Sequence, residues 1–403
     1  MLPKYRGIYM GKNERQSYLA AIKKRYRQAR KGAKKLILDE FCQVCGYHRK
    51  YAIRLLNKKK AKPGRKKKLR KPGPKPRYQH EELVNVLKTI WFVADQPCSK
   101  RFVPLIKLWL PFYEDNYGLL TADIKDKLQT ISAATIDRLL QPVRAHQQTK
   151  GITATKPGTL LRNQIPIRTD AWDISEPGFM EADTVAHCGN SLMGDFAWSL
   201  TLTDYCTGWT ENRATWGKGA GGVVEQIKDI EQSLPFELKG FDCDNGSEFL
   251  NYHLLRYFQE RDAPVAFTRS RPYKKNDNAH VEQKNWTHVR QLFGYDRIDK
   301  QASIALMNDL YKNEWSALQN FFLPNMKLKT KTRINSRYKR TYYSPETPYQ
   351  RLLQSEAITK QQKQMLINEN KSLDPFKLRA TIEEKLTTIF KLISVTSNVR
   401  LRL

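Results

Sequence analysis

Hydrophobic positions along the chain change period three times, and those changes divide it. Residues 14–57 carry a helical period: Leu36 to Cys45 reads as one helix, Gly46 as its stop, and Arg49 to Leu56 as the next. Helix, short glycine-containing turn and helix is the helix-turn-helix pattern, with Arg49, Lys50 and Arg54 on the second helix open to DNA. The helical period returns over Glu82–Val93, Arg101–Tyr113, Thr121–Leu128 and Ser132–Arg144, with Ser132 as N-cap and 133–140 as a second reading helix. From Gly178 the pattern switches to strands: Phe179–Val185, Asp195–Thr203 and Gly208–Thr215 are rich in β-branched and aromatic residues. An amphipathic helix, Val223–Leu234, follows a run of glycines that lacks the GK[ST] of a phosphate loop. Next come a strand Leu238–Asp242, a helix Tyr252–Arg261, a strand Val265–Thr268 and a long helix opened by Asn278. Gln301–Phe321 is helical again, and 361–392 reads as two helices broken at Asp374-Pro375.

Charge then changes the picture. The chain has 71 Lys+Arg against 40 Asp+Glu, a formal net charge of +31, and the excess is gathered in blocks. That is the footprint of a polyanion partner, nucleic acid above all. A membrane-spanning role is not expected, because no apolar run reaches roughly 18 residues. The start of the chain lacks the apolar core of a signal peptide, and six cysteines do not read as a disulfide scaffold. A cytoplasmic protein, nucleoid-associated when on DNA, is the expectation.

Lys58 to Arg77 holds twelve Lys/Arg, no acid and four prolines, so it cannot pack. It reads as a linker that doubles as a DNA-contacting arm, with Arg65, Lys66, Lys75 and Arg77 as candidates for phosphates or a narrow minor groove. Cys42, Cys45 and His48 hint at zinc, but no second ligand pair follows. Small buried residues in the first helix are the better reading of the two cysteines. Lys327 to Arg340 has seven Lys/Arg and no acid, with tyrosines interleaved and following, either a solvated tether or a phosphate-contacting surface.

The chemistry centres on FDCDNGSEF (241–249). Acids at the end of a buried strand are costly unless a cation sits between them, and hard divalent ions choose carboxylate oxygens. A plain turn capped by Asp242 and Asp244 is the bland alternative. Three strands, helix, strand, helix, strand and a long helix form the ribonuclease-H-like order, in which the first and fourth strands are neighbours. Asp183 then lies on the first strand, Asp244 after the fourth, and Glu282 in the first turn of the late helix, where the dipole favours a carboxylate. Strand alternation puts Glu181 with Asp183, and Asp242 with Asp244, so parity alone does not choose between them.

MEADT (180–184), LTDYCTGWTE (202–211), FDCDNGSEF (241–249), NDNAHVEQKNW (276–286) and QNFFLPNMKL (319–328) together resemble the DDE transposases of bacterial insertion sequences, whose core is of the retroviral-integrase type. The resemblance covers about 170–340 and is looser over 1–150. It implies an α/β ribonuclease-H-like catalytic core, a mixed five-stranded sheet with helices on both faces. All-α helix-turn-helix domains would precede it and a mainly helical C-terminal region would follow. It selects Asp183, Asp244 and Glu282 as catalytic and metal-holding acids, with Glu181 and Asp242 in support. Two Mg²⁺ or Mn²⁺ ions per site are implied; such a pair, about 3.5–4 Å apart, activates the attacking oxygen and stabilises the leaving one. The implied partners are double-stranded DNA, as element terminal repeats and target, and further copies of the chain on paired DNA ends.

The sequence departs from the family at Cys243, where Ser is expected, and at Trp286, where retroviral integrases carry a basic residue; Lys284 and Arg290 lie nearby. Lys274 and Lys275, in the loop before the late helix, are further DNA candidates. His187, His280 and His288 read as packing or DNA contacts. The expected organisation is 1–57 helix-turn-helix, 58–79 arm, 80–148 second helical domain, 149–172 linker, 173–300 catalytic core and 301–403 basic helical region. A DNA-binding regulator with a dead core, or a simple nuclease of the same fold, are the competing classes.

Overall fold

The computed structural model describes residues 12–58, 77–78, 80–144, 175–244, 246, 248–270, 279–334 and 337–393. The chain forms two units, Met1–Lys75 and Pro76–Leu403.

The first unit is a three-helix cluster: α1 (Lys12–Gln28), α2 (Lys31–Cys45) and α3 (Arg49–Asn57). Ile22, Ile37, Leu38, Phe41, Ala52 and Leu56 fill its core. Gly46 ends α2 in the left-handed region, φ +68°, where a side chain would be strained. Cys45 belongs to the core and Cys42 packs on it, the small-residue role expected of them.

In the second unit, α4 (Glu81–Val93), α5 (Ser99–Tyr117), α6 (Ala122–Thr130) and α7 (Ala133–Arg144) come first. Ser132 Oγ accepts from the Thr135 amide at 3.3 Å, so it caps α7. These helices are not a free-standing lobe; their buried side chains are continuous with the core of the sheet and of the C-terminal helices. Trp109 stands edge-on to Phe376 at 5.2 Å and donates its indole N–H to the Phe322 carbonyl. Segments 80–148, 173–300 and 301–403 therefore share one hydrophobic core.

The sheet has the order β3-β2-β1-β4-β5. β1 (Phe179–Ala186), β2 (Ala197–Asp204) and β3 (Thr210–Trp216) form an antiparallel meander; β4 (Gly240–Cys243) and β5 (Ala266–Arg269) add on parallel to β1. α8 (Ala220–Ser233) crosses from β3 to β4, and α9 (Tyr252–Gln259) from β4 to β5. This is the ribonuclease-H-like order. Alternation separates the two faces. Phe241 points towards α9, where it meets Phe258 at 4.9 Å, and Cys243, two positions on, is buried on that same apolar side. Asp242 points the other way.

A row of polar residues crosses that second face, with buried Thr203 opposite buried Glu181, Glu181 opposite buried Asp242 and Asp242 opposite half-buried Thr268. Over it lies α10 (Ala279–Lys284), which continues as π-helical turns Asn285–Arg290 and a final turn α11 (Gln291–Phe293). The outer edge of β3 is closed by α12 (Ser303–Leu310), which runs on into π turns Tyr311–Trp315 and Leu318–Phe322. Asn308 exchanges two hydrogen bonds with the Ala214 backbone and Asn320 two with Thr210, so two amides stand in for a sixth strand. Asn320 lies in the QNFFLPNMKL segment, which gives that stretch a structural task.

The basic segment after it is not a loop. β6 (Leu328–Ile334) and β7 (Arg337–Tyr342) pair as an antiparallel ribbon with every described side chain exposed. The C-terminal region, mainly helical as expected, also contains this ribbon. Alternating charged and β-branched residues suit a two-stranded ribbon, and the charge density masked the strand period. α13 (Pro348–Gln354), α14 (Lys360–Ser372) and α15 (Pro375–Ile393) complete the fold. Asp374 caps α15 through the Phe376 amide at 2.8 Å, with Pro375 at the first helical position.

His187 is fully buried, shares a hydrogen bond of 2.7 Å with Ser199 Oγ and packs edge-on to Phe293. Burial first, then Arg290, push its pKa down to about 3. It is therefore neutral in the fold and charged in the unfolded chain below the ordinary value of 6.5. Its contribution is complete above pH 6.5 and is lost as pH falls towards 3. Between pH 7 and pH 5 this loss is expected to be on the order of 2 kcal/mol. Denaturant melts of the native chain and His187→Gln at both pH values should show it as the difference in their pH dependence.

Candidate active site

β1 and β4 bring the acids together. The pairing stops at Ala182 opposite Cys243, so Asp183 and Asp244 are the next residues at the open end of the two strands. Asp183 accepts Asn285 Nδ2 at 2.6 Å and the Thr184 amide at 2.7 Å. Asn285 is one turn after Glu282 on the same helix, so its bond to Asp183 holds the Glu282-bearing helix against β1. The Val281 amide approaches Glu181 Oε2 at 3.4 Å from that helix. The side chain of Glu282 lies outside the described residues, as do Arg65, Lys66, Lys75, Lys274, Lys275, His280 and the cap Asn278.

Asp244 takes the Gly246 amide on Oδ1 at 2.8 Å, so the capped turn considered for it does form. Its second environment is another acid. Burial first, and then the Glu248 carboxylate, push the Asp244 pKa up. Glu248 is buried; Oε1 accepts Thr184 Oγ1 at 2.8 Å and pairs with Lys218 at 2.9 Å, while Oε2 has no hydrogen-bond partner among the described residues. Gly246 leaves room for this carboxylate, which a side chain there would displace. A Cβ there would come within 2.5 Å of the Glu248 carboxylate.

Asp242 is more deeply set. It is fully buried and accepts Thr268 Oγ1 at 2.6 Å. Among the described residues no three of His, Cys, Asp and Glu converge as a ready-made metal site. The donor chemistry nonetheless fits a hard divalent cation: the oxygens are carboxylate, two acids stand side by side, and one buried oxygen is unmet.

The basic candidates divide. Lys50 and Arg54 are exposed on α3, Arg54 resting on Tyr51 at 5.1 Å. Arg49 is instead ion-paired with Asp39 on the preceding helix. Arg77 pairs with Asp126 at 3.3 Å. Arg290 donates to the Ala186 carbonyl at 3.0 Å and covers Tyr295, and burial pushes its pKa down. It braces β1 while remaining half-buried. Lys284 also turns inward, where burial first and then Arg101 and Arg351 lower its pKa to about 7. Trp286, at the position where integrases carry a basic residue, is half exposed. His288 is buried, with burial holding its pKa well down, so it packs. Glu248, Asn285 and Lys218 were missed by sequence reasoning. The first two sit inside quoted motifs, four residues after Asp244 and three after Glu282, and that spacing was the available signal.

The fold and the acids at its edge define a ribonuclease-H-like α/β core built into a larger helical frame. No family model matches the chain. It is 38% identical over 341 residues to the uncharacterized protein y4rM of Sinorhizobium fredii (strain NBRC 101917 / NGR234), covering 84% of this chain and 94% of that protein. The chain belongs to the family of that protein. Among solved structures, the catalytic core domain of BIV integrase aligns with 44% of this chain and 95% of its own, at 16% identity and a TM-score of 0.29. That likeness is too slight to add to what the strand order says.

If Asp244 and Glu248 share a cation, Mg²⁺ at tenfold its Kd should raise the thermal midpoint by about 2 °C. Scanning fluorimetry with and without EDTA checks this. An undiminished Mg²⁺ response in both Asp244→Asn and Glu248→Gln would remove the assignment.

Proposed function

We propose that the chain is a DDE-type DNA transposase, which binds the ends of a mobile element, cleaves to expose 3′-OH groups and joins them to target DNA. The observation that carries this reading is the pairing of β1 with β4 under the α10 helix, with Asn285 tying that helix to Asp183. Asp183, Asp244 and Glu282 are proposed as the metal-holding acids. Two divalent ions, when bound, supply charge stabilisation for an in-line displacement at phosphorus. Asn285 orients Asp183; Lys218 offsets part of the negative charge at Glu248. Asp242, locked by Thr268, supports the strand end.

DNA binding is assigned to surfaces that display charge. In the first unit these are Lys50 and Arg54, with the arm at 58–79 beside them in sequence. In the second, the β6–β7 ribbon presents Lys329, Lys331, Arg333, Arg337, Lys339 and Arg340 beside the exposed Tyr338 and Tyr342. A two-stranded ribbon of this kind fits a DNA groove or follows its phosphates. Work on paired ends calls for a homomultimer on DNA.

Incubating the protein with its element's ends, a plasmid target and Mg²⁺, then sequencing joined products, tests the reading. Asp244→Asn and Asp183→Asn should each lower joining by at least about a thousandfold while DNA binding survives, the scale of loss of an essential electrostatic group. Asp242→Asn should retain measurable joining; the reverse ranking of Asp242 and Asp244 would mean the wrong acid was chosen. For the ribbon, replacing Lys329, Lys331 and Lys339 with Ala should reduce the log–log salt slope of duplex binding by about 0.9 for each phosphate no longer neutralised. A slope unchanged in titrations between low and moderate salt would place DNA elsewhere.

A further inference from the structure

A second polar feature lies beside the acid row. Arg101 of α5, Lys284 of α10, Lys327 just before β6 and Arg351 of α13 converge on a cavity of about 230 Å³. A water needs only roughly 10–15 Å³. The four cations come from distant parts of the sequence, so the fold alone assembles them. Each is held by carbonyl oxygens: Arg101 by Pro324 at 2.6 Å, Lys284 by Gly208 at 3.4 Å, Lys327 by Cys206 at 2.8 Å, and Arg351 by Thr207 at 2.7 Å and Asn325 at 2.8 Å. None forms an ion pair with a carboxylate among the described residues.

Asp204, also on the wall, is already engaged. Its oxygens accept the Gly178 amide at 2.9 Å and the Thr207 amide and hydroxyl, each at 2.7 Å. Burial lowers the pKa of Arg101 and of Arg351, outweighing the opposing pull of the Glu346 carboxylate on Arg351. Neutral carbonyls orient these groups without cancelling their charge.

The cavity wall includes Thr203, which pairs with Glu181. Directly paired residues share a face, so this wall lies on the face that carries Asp183. Asp183 is two positions further along β1, roughly 7 Å.

We propose that this cavity binds a phosphodiester of the DNA strand close to the one that reacts at the acids. Guanidinium forks and ammonium groups suit phosphate oxygens, and Arg101 and Arg351 supply the directional contacts. The placement next to the reacting strand rests on the transposase reading; the phosphate site itself does not.

The test is equilibrium dialysis of the full chain with labelled inorganic phosphate, competed by the dinucleotide dTpdT. One saturable phosphate per chain, displaced by dTpdT, is expected. Lys327→Gln and Arg351→Gln should each weaken binding by about tenfold, the scale of one charge-assisted hydrogen bond, and Asp183→Asn should not. Circular dichroism checks the folding of each variant, and Lys327→Gln carries the test if Arg351→Gln is misfolded. No saturable phosphate, or unchanged affinity in folded Lys327→Gln, would overturn the site. Phosphate binding that dTpdT does not displace would overturn the DNA-backbone assignment. Phosphate and dTpdT binding in a protein that never joins DNA would uphold the cavity and count against the transposase reading instead.

Discussion

Everything at the candidate site depends on one lateral contact, the parallel pairing of β1 with β4. Opposite Glu181 stands Asp242, both fully buried, so the sheet holds two acids face to face in its interior. Like-charged neighbours at such a pairing are unfavourable by themselves. They persist because backbone ladders and the apolar side of the sheet fix the strands, with Phe241 and Phe258 packed on the reverse face. The cost is local, and it falls just inside the strand end that carries Asp183 and Asp244. That is where strain and electrostatic frustration are concentrated in proteins that do chemistry.

The frame around the sheet serves the same end. The edge of β3 is sealed by the amides of Asn308 and Asn320, so the helices after the core are part of it rather than an appendage. The same helices carry the chain to Lys327 and Arg351, beside Arg101 from the helices that precede the sheet. One hydrophobic core thus joins segments that composition alone divides into domains.

Much of the core was legible in the sequence. Five strands of alternating or β-branched pattern, the interposed helices and the late helix follow from local periodicity, and the element order allowed their arrangement to be named. Ends shifted by a few residues, as with β4, which starts at Gly240 instead of Leu238. The β6–β7 ribbon escaped because both strands are wholly exposed and densely charged, so no buried face marks their period.

What the sequence by itself determined is whatever is encoded over a few residues: helix stops such as Gly46, caps such as Ser132 and Asp374, the apolar face of each strand, and which acids end a strand. Tertiary structure alone decided which side chains meet. Glu248 on Thr184, Asn285 on Asp183, Arg290 on a strand carbonyl and four cations around one cavity are contacts between segments far apart in the chain. Local pattern constrains backbone angle and burial, but the partner of a buried charge is set by packing, and no period in the sequence records it.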